Sequence, residues 1–151
     1  MKNLFESAEA AELKERLAAL TPESLRLWGT MNPAQTAAHC AIAFDMASGA
    51  LKPARAGLVG RMVGRIIKPM VLGNDAQMRR NSPTMKELVL TGLYDLTTER
   101  ERLCSAIDRF QMAGSAGCTT YPHPFFGRLT AQEWAILMYK HVDHHLRQFG
   151  V

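Results

Sequence analysis

Two helix-starting signals constrain this chain more than any other feature. Asn32-Pro33-Ala34-Gln35 and Thr130-Ala131-Gln132-Glu133 each set a capping side chain three residues before a Gln or Glu that can reach back to it. Pro33 adds a ring at the first helical position, where a missing N–H removes no bond. Both signals lead into apolar residues at three- and four-residue spacing, so the chain is committed to packing helices.

The remaining punctuation extends that reading. Residues 7–20, rich in Ala, Leu, Glu and Lys, predict a first helix. Thr21-Pro22 predicts an N-cap for a short helical turn ending near Trp28-Gly29. The helix capped by Asn32 should run to about Ser48 and stop at Gly49. Residues 57–72 form a basic amphipathic stretch interrupted at Pro69, and Asp95 should cap a helix over 96–112 that ends in the Gly114-Ser115-Ala116-Gly117 loop. The last helix should reach about Phe149, before Gly150. Residues 87–92 come nearest to a strand and are short. With no repeat or long linker, the expectation is one all-α domain over residues 1–151. It is a four-helix bundle with short extra helices in a long crossover between helices 2 and 3.

Composition narrows the context. A chain of 151 residues, 47% apolar, can bury a core without covalent staples. Cys40, Cys104 and Cys118 are odd in number and lack paired spacing, which suits reduced thiols in a cytoplasmic protein. The N-terminus has no apolar signal core, and Arg61, Arg65 and Lys68 break the longest apolar stretch, so stable membrane insertion is not expected. The net charge of +4 is polarised: residues 52–86 carry eight Lys or Arg against Asp75 alone. Three readings compete for the basic stretch over 57–72: a solvated face over a core-packed helix, a homodimer interface, or a surface for anionic membranes or nucleic acid. A homodimer is the expected partner. Nucleic acid is disfavoured because no aromatics interleave with the cations.

Three of the five histidines lie in His141-Val142-Asp143-His144-His145 on the last helix. His141 and His145 are four apart and rise from one face, together with Trp134, Met138 and Gln148. His39 shares a face with Gln35 on the second helix, beside a stripe of Ala34, Ala38 and Ala41 that permits close approach. Bundle cores build metal sites from such inward-facing side chains, and three His ligands would leave a fourth position open. Spacing alone leaves an alternative standing, in which each buried histidine is a core residue hydrogen-bonded to backbone or carboxylate. His144 falls to the flank of the stripe, and His123 sits in a proline-locked loop where a structural role is expected. Cys40 points about 100° away from His39 and is not expected to ligate. Trp28, Trp134, Phe125 and Phe126 read as core aromatics.

The segment from Trp28 to His39, the His123-Pro124-Phe125-Phe126-Gly127 run, Leu129-Thr130 with Glu133-Trp134, and the run from His141 to Phe149 together resemble the DinB/YfiT-like superfamily, in one of its branches of unknown function. The likeness covers the chain from about Leu25 to its end. It implies a four-helix bundle holding a divalent metal through one His of the second helix and an HxxxH pair of the last, here His39, His141 and His145. It also implies a reaction class, since characterised relatives use a low-molecular-weight thiol, such as bacillithiol or mycothiol, activated at the metal.

The expected cofactors are therefore a divalent metal, Zn²⁺ or Ni²⁺ first, and a low-molecular-weight thiol. A thiol S-transferase acting on a small electrophile is the first functional expectation. A metal-dependent hydrolase and a non-catalytic metal-binding or stress-response protein are the alternatives. Within this scheme His144 is the candidate for proton transfer, and Gln35 and Gln148 are candidate cofactor-side or water-orienting groups. Asp143 or Asp45 could orient a ligand imidazole.

Overall fold

The computed structural model of the chain describes residues 1–82, 84–85 and 88–151. Its helices are α1 (Ser7–Ala18), α2 (Pro33–Ser48), α3 (Leu58–Leu72), α4 (Leu96–Ala113) and α5 (Ala131–Arg147), and no strand occurs among the described residues. Helix α2 packs on α4 and α5, α1 packs on the same two, and α3 lies against α5. The protein is thus an all-α bundle, with α3 carried by the crossover from α2 to α4.

The caps form as their residue types dictate. Asn32 Oδ1 accepts from Gln35 N at 2.8 Å, while Gln35 Oε1 accepts from Asn32 N at 3.1 Å. Thr130 and Glu133 exchange the same pair of bonds, and Asp95 Oδ1 accepts from Thr98 N. Each box satisfies two backbone donors that a helix start leaves without partners. Gly49 closes α2 at φ +84°, a left-handed conformation open to glycine at little cost.

Helix α2 is buried almost all round, and alanine makes that possible. Ala34, Ala37, Ala38, Ala41 and Ala47 are all buried, so neighbouring backbones come close and larger side chains fill in from outside. Phe110 of α4 meets Phe44 at 5.6 Å and Phe5 at 5.7 Å between ring centroids. Leu13 and Leu17 of α1, Leu103 and Ile107 of α4, and Trp134 and Leu146 of α5 complete the core. His39 stands inside this core because its helix does.

Some expectations are corrected. Thr21 caps no helix. Its N–H donates to Ser24 Oγ and its carbonyl accepts from Ser24 N, a local turn, and the segment stays non-helical because Leu25 and Leu27 are exposed and give a helix no face to bury. Pro69 does not interrupt α3, which continues to Leu72. Pro69 and Arg65 both lie on the exposed side, where water can take the carbonyl that a proline cannot bond. The Gly114–Gly117 segment winds into a 3-10 turn, α1 ends at Ala18, and α5 ends at Arg147. Residues 88–92 form no strand, and Glu87 lies outside the described residues.

Contact between α3 and the bundle depends on one glycine. A Cβ at Gly64 would lie 2.0 Å from the carbonyl oxygen of Phe125, a backbone atom with no rotamer to yield. At the other end of α3, Lys140 donates to the carbonyls of Val71 (2.6 Å) and Asn74 (2.9 Å), placing a cation on the helix C-terminus. Ala at position 64 would favour the helix by about 1 kcal/mol by propensity. The forced displacement should outweigh this, at about 1–3 kcal/mol. Gly64→Ala should therefore lower Tm by a few degrees, and a variant melting at or above wild type would show that the contact is not tight.

Candidate metal centre

His39 from α2 and His141 and His145 from α5 meet inside the bundle. One ring nitrogen from each can be chosen so that all lie within 4.8 Å of one another, a grouping able to hold a metal ion. The ring centroids are 5.0 Å apart for His39 and His141, 4.7 Å for His39 and His145, and 4.8 Å for His141 and His145. His39 is buried, while the other two keep some exposure.

The hydrogen bonds determine which nitrogens are free. His39 Nδ1 lies 2.9 Å from the Leu88 carbonyl, which only accepts, so Nδ1 carries the proton and Nε2 holds a lone pair. Gln148 Nε2 donates to the Trp28 carbonyl at 2.6 Å, which turns Oε1 toward His145 Nδ1 at 3.1 Å. His145 must then donate from Nδ1, leaving its Nε2 lone pair free. His141 Nε2 sits 3.1 Å from His39 Nε2, and its own Nδ1 is buried with no partner among the described residues. Ordinary core histidines have both nitrogens satisfied, and this set does not. Two rings held by backbone-anchored acceptors, with lone pairs left over, are what imidazole ligation of a divalent cation requires, so the residues present fit such an ion.

Electrostatics agree. Burial first, and then the neighbouring histidines, hold His141 well below its ordinary value. Burial and His39 push His145 down to about 3, and burial lowers His39 as well. Neutral imidazole is the ligating form.

The other candidates lie as follows. His144 is half-buried beside the cluster, its ring 5.2 Å from His145 and 5.9 Å from Trp28, and burial lowers its pKa. Gln35 is occupied elsewhere: besides its capping bonds, Nε2 donates to the Gly92 carbonyl at 3.2 Å. Gln35 and His39, one turn apart on α2, thus hold the 88–92 segment at two carbonyls. Asp143 and Asp45 orient no imidazole. Asp143 is held between Arg16 and Arg147, each at 2.8 Å, and Asp45 pairs with Arg102, because guanidinium partners outcompete a neutral ring for a carboxylate. His123 organises its own loop, its Nδ1 accepting from Phe125 N and Phe126 N at 3.2 Å. Burial lifts the Cys40 thiol pKa, so that group stays protonated. Trp134 and Phe126 are core residues and Phe125 packs against the core; Trp28 is half-exposed, with the Arg80 guanidinium 4.0 Å from its ring centroid.

Gly29 is a site residue with no signal in the histidine pattern. It has φ +78°, and a Cβ there would come within 2.1 Å of Gln148 Nε2. Gly29→Ala should displace the amide that orients His145 and weaken metal binding about 10–100-fold. Zn²⁺ titration would read the change, and unchanged affinity would show that Gln148 does not orient the site.

Fold and site together define an all-α protein with a three-histidine candidate metal centre. The chain belongs to the family described as protein of unknown function (DUF1569), whose model matches residues 3–150. No curated protein and no solved structure matches it.

Proposed function

We propose that the protein is a divalent-metal protein of the DinB-like kind that transfers a low-molecular-weight thiol to a small electrophile. The observation that carries this reading is the convergence of His39, His141 and His145, with two of the rings oriented through Nδ1 by the Leu88 carbonyl and Gln148. Zn²⁺ or Ni²⁺ suits three neutral imidazoles, and such an ion, when bound, would hold a thiol in its thiolate form.

The chain's own residues have separate tasks in this scheme. His39, His141 and His145 hold the ion. The Leu88 carbonyl and Gln148 fix the rings of His39 and His145, and His141 Nε2 lies 3.1 Å from His39 Nε2. His144, next to the cluster and titrating from a lowered value, would take the proton released by the incoming thiol. Trp28 and the Arg80 guanidinium over its ring give the neighbourhood of His144 an aromatic and a cationic wall.

The test loads untagged protein with Zn²⁺ or Ni²⁺ and offers glutathione, bacillithiol or mycothiol with monochlorobimane. Conjugation should need both metal and protein, and should fall about 10²–10⁴-fold in His144→Ala if proton transfer runs through that ring. Metal binding without conjugation would overturn the transferase reading and leave a binding protein. Metal-dependent cleavage of an ester or amide in place of conjugation would make it a hydrolase.

A further inference from the structure

Helix α3 is turned the wrong way for a solvated helix. Leu58, Val59, Met62, Val63, Ile66 and Met70 are each 44% exposed or more. At about 100° per residue they fall within one arc of roughly 140°. Its inward side is set by Gly64, buried against the Phe125 carbonyl, with Gly60, Ile67 and Val71 alongside. The glycine contact and the Lys140 bonds at the C-terminus lock this orientation, so the apolar arc faces outward as built.

Cations border that arc. Arg61, Arg65 and Lys68 follow one flank, and α3 has no acidic residue to balance them. The flank runs into a concavity of about 500 Å³ lined by Arg55, Arg65, Lys68 and Arg128, with Pro122 and Phe126. Lys68 is engaged by Glu133 at 2.8 Å and by the Arg128 carbonyl at 2.9 Å. Arg55, Arg65 and Arg128 make no ion pair among the described residues. Three free guanidiniums in one hollow are suited to an oxyanion with several acceptor oxygens, above all a phosphate.

We propose that α3 docks the protein on an anionic lipid surface. The apolar arc enters the headgroup–acyl boundary, and the hollow of Arg55, Arg65 and Arg128 receives a lipid phosphate. No helix among the described residues is long and apolar enough to cross a membrane, so this contact lies in the interface plane. Charge favours lipid over a second copy of the chain. Arg61, Arg65 and Lys68 border the apolar arc with no acidic residue on α3 to balance them, and symmetric antiparallel packing of two arcs would set both cationic flanks on the same side, like charge against like.

Co-sedimentation of the intact chain with phosphatidylcholine vesicles, with and without phosphatidylglycerol, tests this. Wild type should bind the anionic vesicles at least about tenfold more tightly, and added salt should weaken that binding. Met62→Ser with Ile66→Ser should lose at least about tenfold in affinity with unchanged circular dichroism and Tm, both side chains being outside the core. Arg65→Gln with Arg128→Gln, which leaves the apolar arc intact, should bring binding down to the level on phosphatidylcholine alone. Wild type that ignores both vesicles would overturn the proposal. So would a dimer in sedimentation equilibrium that the Ser pair dissociates, since the arc would then be a self-interface. Glycerol phosphate free in solution binding the wild type as tightly as vesicles do would make the hollow a small-molecule site instead, and overturn it equally.

Discussion

Zn²⁺ or Ni²⁺ at a hundredfold excess over its dissociation constant is expected to stabilise the wild-type chain by about 2.7 kcal/mol, and His145→Ala is expected to lose nearly all of that. For a domain of this length the gain corresponds to a Tm shift of about 5–10 °C. His39→Ala and His141→Ala should behave alike, because a two-imidazole remainder holds a divalent ion far more weakly. The comparison that decides is each variant against wild type, with metal and after chelation. A ligand loses the gain from metal on top of whatever loss it shows after chelation. A satisfied core histidine shows the same loss in both conditions.

The metal-free melts carry further information. His39→Ala leaves the Leu88 carbonyl without its donor, at a cost of about 1–3 kcal/mol. His141 has no such partner at Nδ1 among the described residues, so His141→Leu should cost little in the chelated protein and serves as the direct comparison for His39→Ala. If His141→Leu and wild type respond to metal identically, the three-histidine centre is wrong, whatever the proximity of the rings.

Much of this was legible in the sequence because it rests on local rules. The boxes at Asn32 and Thr130 depend on residues three apart, and both form. The HxxxH spacing on α5 guarantees a shared face, and the alanines of α2 announce a helix that others approach closely. What failed depends on tertiary context. Thr21-Pro22 resembles a helix start, yet Leu25 and Leu27, which follow it, stay exposed and offer a helix no buried face. Pro69 looks like a break, yet its face is open to solvent. The groups that orient the imidazoles were less accessible still. A backbone carbonyl such as that of Leu88 has no residue signature, and Gln148 acts only because the Trp28 carbonyl takes its amide N–H. Carboxylates looked like the natural partners, but Arg16, Arg147 and Arg102 had already claimed Asp143 and Asp45. The apolar stripe of α3 could be read from its periodicity, though a core-packed helix with a solvated basic face was as open a reading as an exposed apolar surface. Which way it pointed required the buried Gly64.

His123 should make the fold acid-sensitive. Burial pushes its pKa from 6.5 down to about 4, so the folded chain resists a proton that the unfolded chain accepts. Between those values the unfolded state binds more protons, and stability therefore rises with pH across that window. The contribution is complete above about pH 6.5, declines as the pH falls, and is gone by about pH 4. Some 2.5 pH units at 1.36 kcal/mol each give a loss of about 3 kcal/mol. The cause is specific: Nδ1 accepts two backbone N–H bonds, and the ring stacks on Phe126 at 4.8 Å and lies 5.6 Å from Trp134, so a charge there has no partner. His123→Asn supplies the control, since the amide oxygen can take the same two N–H bonds without titrating. The variant should be less stable at neutral pH, having lost ring contacts, but its stability should fall less steeply on acidification. Urea melts of chelated wild type and variant across the window would measure both slopes. Parallel slopes would show that the His123 ring already reaches water, and the compact loop from His123 to Gly127 would have to be more open than its paired backbone bonds of 2.9 and 3.0 Å imply.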